Sequence, residues 1–325
     1  MIKLQKYILD NGLTLIVHPD PSTPIATVNL LYNVGSKHEN PEKTGFAHLF
    51  EHLMFEGSVN ISTYDTPLQK AGGENNAFTS NDITNYYLTL PVPNLETAFW
   101  LESDRMLGLK FTEEKLEIQK NVVIEEYNQR YLNQPYGDAY LHLRPMAYKK
   151  HPYQWPTIGK DISHIQQATL DDVKDFFFHH YAPNNAILTV VADIEPDKVK
   201  QLADKWFGPI PSRNLQQPEI KPEPRQTEKR QEQLTGDVPH DVIYKAYHMC
   251  SRHHPDYHTT DLISDLLSNG KSARLYQRMV KEKKLFSHID AHITGDIDPG
   301  LLMIHGSLSD NTKMNTAEDA LLEEL

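Results

Sequence analysis

The chain has 325 residues, 39% of them hydrophobic, which is enough to bury a core in each of two domains of ordinary size. A formal charge of −12 argues against a dedicated nucleic-acid binder, which needs concentrated positive charge. The single cysteine, Cys250, excludes an intramolecular disulfide and any thiolate-rich metal site, so a metal would have to be held by His and carboxylate.

No apolar run approaches the roughly 20 residues needed to span a bilayer. The first apolar stretch breaks at Asp10 before it could act as a secretory core, so the expectation is a soluble, cytoplasmic chain. Residues 7–9 and 13–17 read as strands around Asn11-Gly12, a dipeptide suited to a hairpin turn. Residues 25–32 read as another strand. From 44 to 56 the apolar spacing becomes helical, with Thr44 as N-cap and Gly57 as the stop. Strands are expected at 76–79 and 84–90 and a helix at 95–107. A long helix begins after Thr112, helped by Glu113 and Glu114 at its positive end and limited by Pro135. Residues 169–179 and 196–207 read as helices flanking a buried strand at 186–191.

Between 208 and 233 the apolar pattern dissolves into Pro, Gln and charge, the composition of a stiff, extended linker. It separates an N-terminal domain, 1–207, from a C-terminal one, 234–325. The second domain is expected to hold strands at 242–249, 289–293 and 301–305 and helices at 259–267, 273–281 and 316–325. Helices and strands mix throughout, and the sketch of strands followed by helices recurs after the linker. The fold class is therefore α/β or α+β, with a second half shorter than the first.

His48-Leu49-Phe50-Glu51-His52 lies on the helix expected after Thr44. Residues four apart share a helix face, so two imidazoles can reach one ion, with Glu51 beside them. Zinc held by two imidazoles and a carboxylate keeps a fourth position for water and lowers its pKa, and Glu51 would act as the general base. This H-x-x-E-H order is the inverse of the common metalloprotease spacing. The rest of the helix (Phe46, Leu49, Phe50, Leu53) is apolar, and burying histidines and a carboxylate there is costly unless something such as a metal satisfies them. The third ligand is expected from Glu125 or Glu126 on the helix after Thr112. Gln119 lies two turns before Glu126 on the same face, positioned to orient the carboxylate or the water.

Three ordered stretches, GFAHLFEHLMFEGS, GGENNAFTSNDITNYY and the VVIEE helix, resemble the pitrilysin/insulinase family of zinc metallopeptidases, in particular the short-chain subfamily that includes mitochondrial processing peptidase. The resemblance spans the chain and is densest from 45 to 126. It implies an α+β fold, a bilobed clam of two similar α/β sandwich-like halves, the second incomplete in this chain. It also implies one Zn2+ per chain on His48, His52 and Glu126, with Glu51 as the base and Glu125 as the fallback ligand. The family's accessory Glu falls on Gln119, a departure that removes one negative charge. Asn76, Ala77, Phe78 and Thr79 fall on the family's edge strand, to which substrate peptide adds through its backbone. The Arg and Tyr that family members carry in a second half fall on Val280 and Ser287, with Arg278 and His288 nearby but out of register.

The expected function is a zinc-dependent endopeptidase acting on peptides or unfolded segments, as a homodimer or as a heterodimer with a homologous subunit bearing Arg and Tyr. The competing expectation is a non-catalytic or partner-dependent subunit of such a heteromeric peptidase.

Overall fold

A computed structural model describes residues 3–215 and 218–325. Gln216 and Gln217, inside the expected linker, lie outside the described residues. The chain opens with β1 (Gln5–Ile8), β2 (Thr14–Pro19) and β3 (Ile25–Tyr32), followed by α1 (Phe46–Leu53) and α2 (Asp65–Lys70). Next come β4 (Glu74–Thr79), β5 (Thr84–Pro91), α3 (Leu95–Leu107), α4 (Glu113–Tyr127) and α5 (Ala139–Ala147). Then follow α6 (Ser163–Gln166), α7 (Leu170–His180), β6 (Ala186–Ala192) and α8 (Pro196–Trp206). The described residues between α8 and β7 (Val242–His248) form no helix or strand. The chain continues with α9 (Tyr257–Ser268), β8 (Phe286–Ile293), β9 (Leu301–Leu308) and α10 (Met314–Glu324). Among the described residues no helix is long and apolar enough to cross a membrane.

The fold is α+β, and it divides into two compact units: Met1–Tyr127 with His151–Lys221, and Asn128–Lys150 with Pro222–Leu325. The first unit is built on a sheet of order β1-β2-β6-β3-β5-β4, in which β6 runs parallel to β2 and antiparallel to β3. Burial alternates along β3 and β6, so Val28, Leu30, Leu188 and Val190 face the core while their neighbours are partly open. Phe50 of α1 stacks on Tyr181 with ring centroids 5.2 Å apart, and Phe177 of α7 stacks on the same ring at 5.7 Å. These aromatic contacts seat α1 on the core. At the far end of the sheet, β4 pairs with β5 and, among the described residues, with no other strand, which leaves its other side as an edge.

The second unit has a sheet of order β7-β9-β8, antiparallel throughout. Its core gathers Ile243, Leu275, Met279, Phe286, Ile289, Ile304 and Leu321. Segment 128–150, which sequence order alone keeps with residues 1–207, groups with this unit. Tyr140 of α5 meets Tyr244 of β7 edge-on, and the Tyr136 hydroxyl donates to the His240 carbonyl at 2.7 Å.

Several elements differ from expectation for identifiable reasons. The helix after Thr112 leaves α geometry at Tyr127 and continues as a π-helical turn over Asn128–Leu132, short of Pro135. The helix expected at 273–281 is mostly π-helical, over Tyr276–Glu282. Residues 65–70 and 139–147 fold as helices despite Pro67 and Pro145, which masked the helical pattern.

Candidate metal centre

Helix α1 is short because its start is set from outside. Gly45 precedes it at φ +91°, and a Cβ there would meet the Ile158 carbonyl oxygen at 2.6 Å, so only glycine fits. Thr44, expected as the N-cap, instead turns its hydroxyl to His164 Nδ1 at 2.9 Å and accepts from Lys160 N–H at 3.0 Å. The free N–H groups of the first turn are met by Glu39, whose carboxylate accepts from Gly45 N–H at 2.9 Å and Ala47 N–H at 2.8 Å. A carboxylate at this end of a helix meets both the unpaired donors and the positive dipole. Glu39 is 4% exposed, and burial pushes its pKa up to about 8 against the pull of those hydrogen bonds. Its loop is tied to the β4–β5 turn, since Ser36 and Lys37 donate their N–H groups to the carbonyls of Ser80 and Asn81. Nearby, Lys37 Nζ pairs with buried Asp82 at 2.8 Å. The sequence carried no signal for Glu39, because an acid in a polar stretch reads as solvated.

On α1, the apolar stripe Phe46, Leu49, Phe50 and Leu53 is buried, and His48, Glu51 and His52 share another side. The His48 and His52 rings stand 4.9 Å apart, nearly perpendicular. Helix α4 packs against α1 and brings Glu126 to them: Oε2 lies 3.5 Å from Nε2 of His48 and 3.5 Å from Nε2 of His52. The three donor atoms lie within 4.8 Å of one another. Ligands about 2.0–2.1 Å from a tetrahedral zinc stand about 3.4 Å apart, so this donor set fits that ion in both chemistry and spacing. The side chains of His48, His52 and Glu126 are 11%, 24% and 18% exposed, sheltered yet reachable by a small solute.

Glu125 is exposed and outside this trio. Gln119 gives its amide to Glu56 Oε1, and Lys115 Nζ reaches the Glu56 carbonyl, so Glu56 links the end of the α1 segment to α4. Glu56 was not singled out from sequence. Asn76, Ala77, Phe78 and Thr79 lie on β4, the edge strand, with Phe78 46% exposed. Thr79 reaches inward and donates its hydroxyl to Glu51 Oε2 at 2.6 Å. Burial raises the Glu51 pKa above the ordinary carboxylate value, the Glu126 charge adds to that, and the Thr79 bond and His52 oppose it.

In the second unit, Val280 packs against the hydrophobic core and Ser287 is exposed, its hydroxyl donating to the Ser307 carbonyl at 3.2 Å. Arg278 is an exposed side chain paired with Glu282 at 2.6 Å, and His288 is exposed on β8.

Comparison with known proteins gives the family of the chain. Residues 14–161 match the family model described as insulinase (peptidase family M16), and residues 167–325 match that of the peptidase M16 inactive domain. The zinc protease PqqE of Helicobacter pylori is 33% identical over 99% of this chain and 74% of its own length. The mitochondrial-processing peptidase subunit beta of Saccharomyces cerevisiae is 30% identical over 62% of this chain and 44% of its own. The crystal structure of a protease from Helicobacter pylori superposes with a TM-score of 0.93 at 32% identity, covering 100% of this chain and 80% of that one. The chain belongs to the pitrilysin/insulinase (M16) family of peptidases.

Proposed function

We propose that this protein is a zinc-dependent endopeptidase that cleaves peptides or unfolded segments, with one catalytic zinc per chain on His48, His52 and Glu126. The observation that carries this reading is the convergence of those three donors within 4.8 Å beside Glu51 and the β4 edge. Zinc, when bound, polarises the scissile carbonyl and makes water easier to deprotonate. The residues of the chain supply the rest. Glu51 accepts the proton of the attacking water and returns it to the leaving amine, and its raised pKa suits a group that must do both near neutral pH. Residues 76–79 of β4 pair with the substrate backbone, which holds an extended peptide with little dependence on its side chains. Gln119 gives its amide to Glu56 and so ties α4 to the end of the α1 segment, and Glu125 stays outside the ligand trio.

The test is a peptide digest by the purified, zinc-supplemented protein beside Glu51→Gln. The wild type should cleave, and Glu51→Gln should bind zinc equally and cleave nothing. Hydrolysis by Glu51→Gln near the wild-type rate would overturn the assignment of the base.

A second reading is favoured by Val280 and Ser287. Where relatives in the family place Arg and Tyr to bind substrate and steady the developing oxyanion, this chain has a packed apolar residue and a short hydroxyl. Losing one oxyanion donor typically costs about 10²- to 10³-fold in rate. We infer that this is the zinc-bearing subunit of a heterodimer whose homologous partner supplies those donors. The yeast relative's name, subunit beta, is in keeping with such an assembly.

A further inference from the structure

The second unit contains a histidine and aspartate cluster that the peptidase reading leaves unused. On β8, His288, Asp290 and His292 alternate with the core residues Ile289 and Ala291, so all three lie on the face of the sheet away from that core. On β9, His305 stands directly across from Asp290 in the antiparallel register. One donor atom each from Asp290, His292 and His305 lie within 4.8 Å of one another, as do those of the α1–α4 trio.

The individual distances are close to those of a ligand set. Asp290 Oδ2 lies 3.0 Å from His292 Nδ1 and 3.9 Å from His305 Nδ1, on either side of the roughly 3.4 Å between ligands of a tetrahedral ion. The donors are also held in place. Tyr244 stacks on the His305 ring at 5.8 Å and 14°, fixing its plane. Ser268 Oγ, which donates to the Ala291 carbonyl at 2.7 Å, lies 3.3 Å from Asp290 Oδ1, which leaves Oδ2 for the histidines. His305 Nδ1 is shielded from solvent, and among the described residues it has no hydrogen-bond partner, while Asp290 Oδ2 lies 3.9 Å away. A shielded imidazole nitrogen aimed at a carboxylate beyond hydrogen-bond reach leaves room for something between them.

We propose that Asp290, His292 and His305 form a second metal site, for a divalent first-row transition ion of the zinc class. Two imidazoles and one carboxylate favour such an ion over magnesium or calcium, which prefer all-oxygen sets. His288, exposed on the same face with its ring 5.8 Å from that of His305, is available as a further ligand. Bound there, the ion clips the edge strand β8 to the central strand β9.

The test uses the full chain and zinc as the probe, with metal content measured after equilibrium dialysis. The wild type should hold two equivalents, His48→Ala/His52→Ala one, and Asp290→Asn one, with affinity at the second site falling at least 10-fold in Asp290→Asn. Cobalt bound to the His48→Ala/His52→Ala protein should show a visible absorption band that His305→Gln removes. Circular dichroism excludes variants that do not fold, and the wild type against Asp290→Asn alone then suffices. One equivalent in the wild type that persists in Asp290→Asn, or cobalt and zinc binding indifferent to both Asp290→Asn and His305→Gln, would overturn the site without touching the peptidase reading. Loss of the other equivalent alone would count against the α1–α4 site and not against this one.

Discussion

Thr79 donates its hydroxyl to Glu51 Oε2 at 2.6 Å, so the strand expected to hold substrate is bonded directly to the proposed base. The bond joins the edge of the first sheet to the helix that carries His48 and His52, and it favours the ionised form of Glu51.

Removing that bond should move the pH profile in a definite direction. The Thr79 hydroxyl lowers the Glu51 pKa, so Thr79→Val should raise it and shift the acid limb of kcat/KM to higher pH. A hydrogen bond to a charged group is worth about 1.5–3 kcal/mol, enough for the displacement of the limb to be read directly from the profile. Zinc content should be unchanged, and Thr79→Ser should restore the profile. An unmoved acid limb in Thr79→Val would mean that another group sets it.

The two neighbouring acids on α4 should separate cleanly. Glu126→Ala leaves two imidazoles and should lose zinc on dialysis, whereas Glu125→Ala, altering an exposed side chain, should retain it. The reverse pattern would show that the wrong carboxylate had been chosen.

Glu39 predicts how stability depends on pH. Its pKa is raised from 4.5 to about 8 in the folded protein, so the folded state holds a proton that the unfolded chain gives up. The contribution is therefore most favourable below about pH 4.5, declines as pH rises towards 8 and levels off above it. Glu39→Gln should lack this slope, so the difference between the urea-unfolding free energies of wild type and variant should change between pH 5 and 8. A constant difference from pH 5 to 8 would mean that Glu39 ionises as freely in the fold as in the unfolded chain.

Restoring the family's side chains within this chain should not create a better enzyme. Val280 packs on the core of the second unit, and placing an arginine there should cost about 1–3 kcal/mol by denaturant titration, with no gain in peptide hydrolysis. Mixing the wild type with a homologous subunit bearing Arg and Tyr should instead raise the rate. A lone Val280→Arg/Ser287→Tyr chain that is both stable and faster would sink the heterodimer reading.

The legible parts of the molecule were those written in local periodicity. Residues 25–32 and 95–107 fold over the spans expected, and Thr169 caps α7 through its exchange of hydrogen bonds with Asp172. His48, Glu51 and His52 were legible for the same reason, since four-residue spacing on one helix is local geometry. Glu126 could be narrowed to a pair of acids by sequence but not chosen by spacing alone, because which of two adjacent helix residues turns inward depends on how α4 packs on α1. Glu39, Glu56 and the Thr79 hydroxyl were out of reach, because their roles exist only through contacts between segments distant in the chain. The π-helical stretches were missed because a widened helical turn carries nearly the same apolar spacing as an α-helix.

The place of β6 in the first sheet has a consequence for biosynthesis. Strands β2 and β3 follow each other in sequence yet never pair, because β6 lies between them and bonds to both. Until residues 186–192 have left the ribosome, the slot between β2 and β3 is vacant and two strand edges with apolar inner faces stand open. Helix α1 rests on side chains of that sheet's layer and of α7, so the nascent chain carries His48 and His52 long before it has the platform that orients them. Such late closure by a distant strand slows folding and leaves the partial chain prone to aggregation. Chaperone dependence during synthesis should therefore be concentrated in the interval between the emergence of β3 and that of β6.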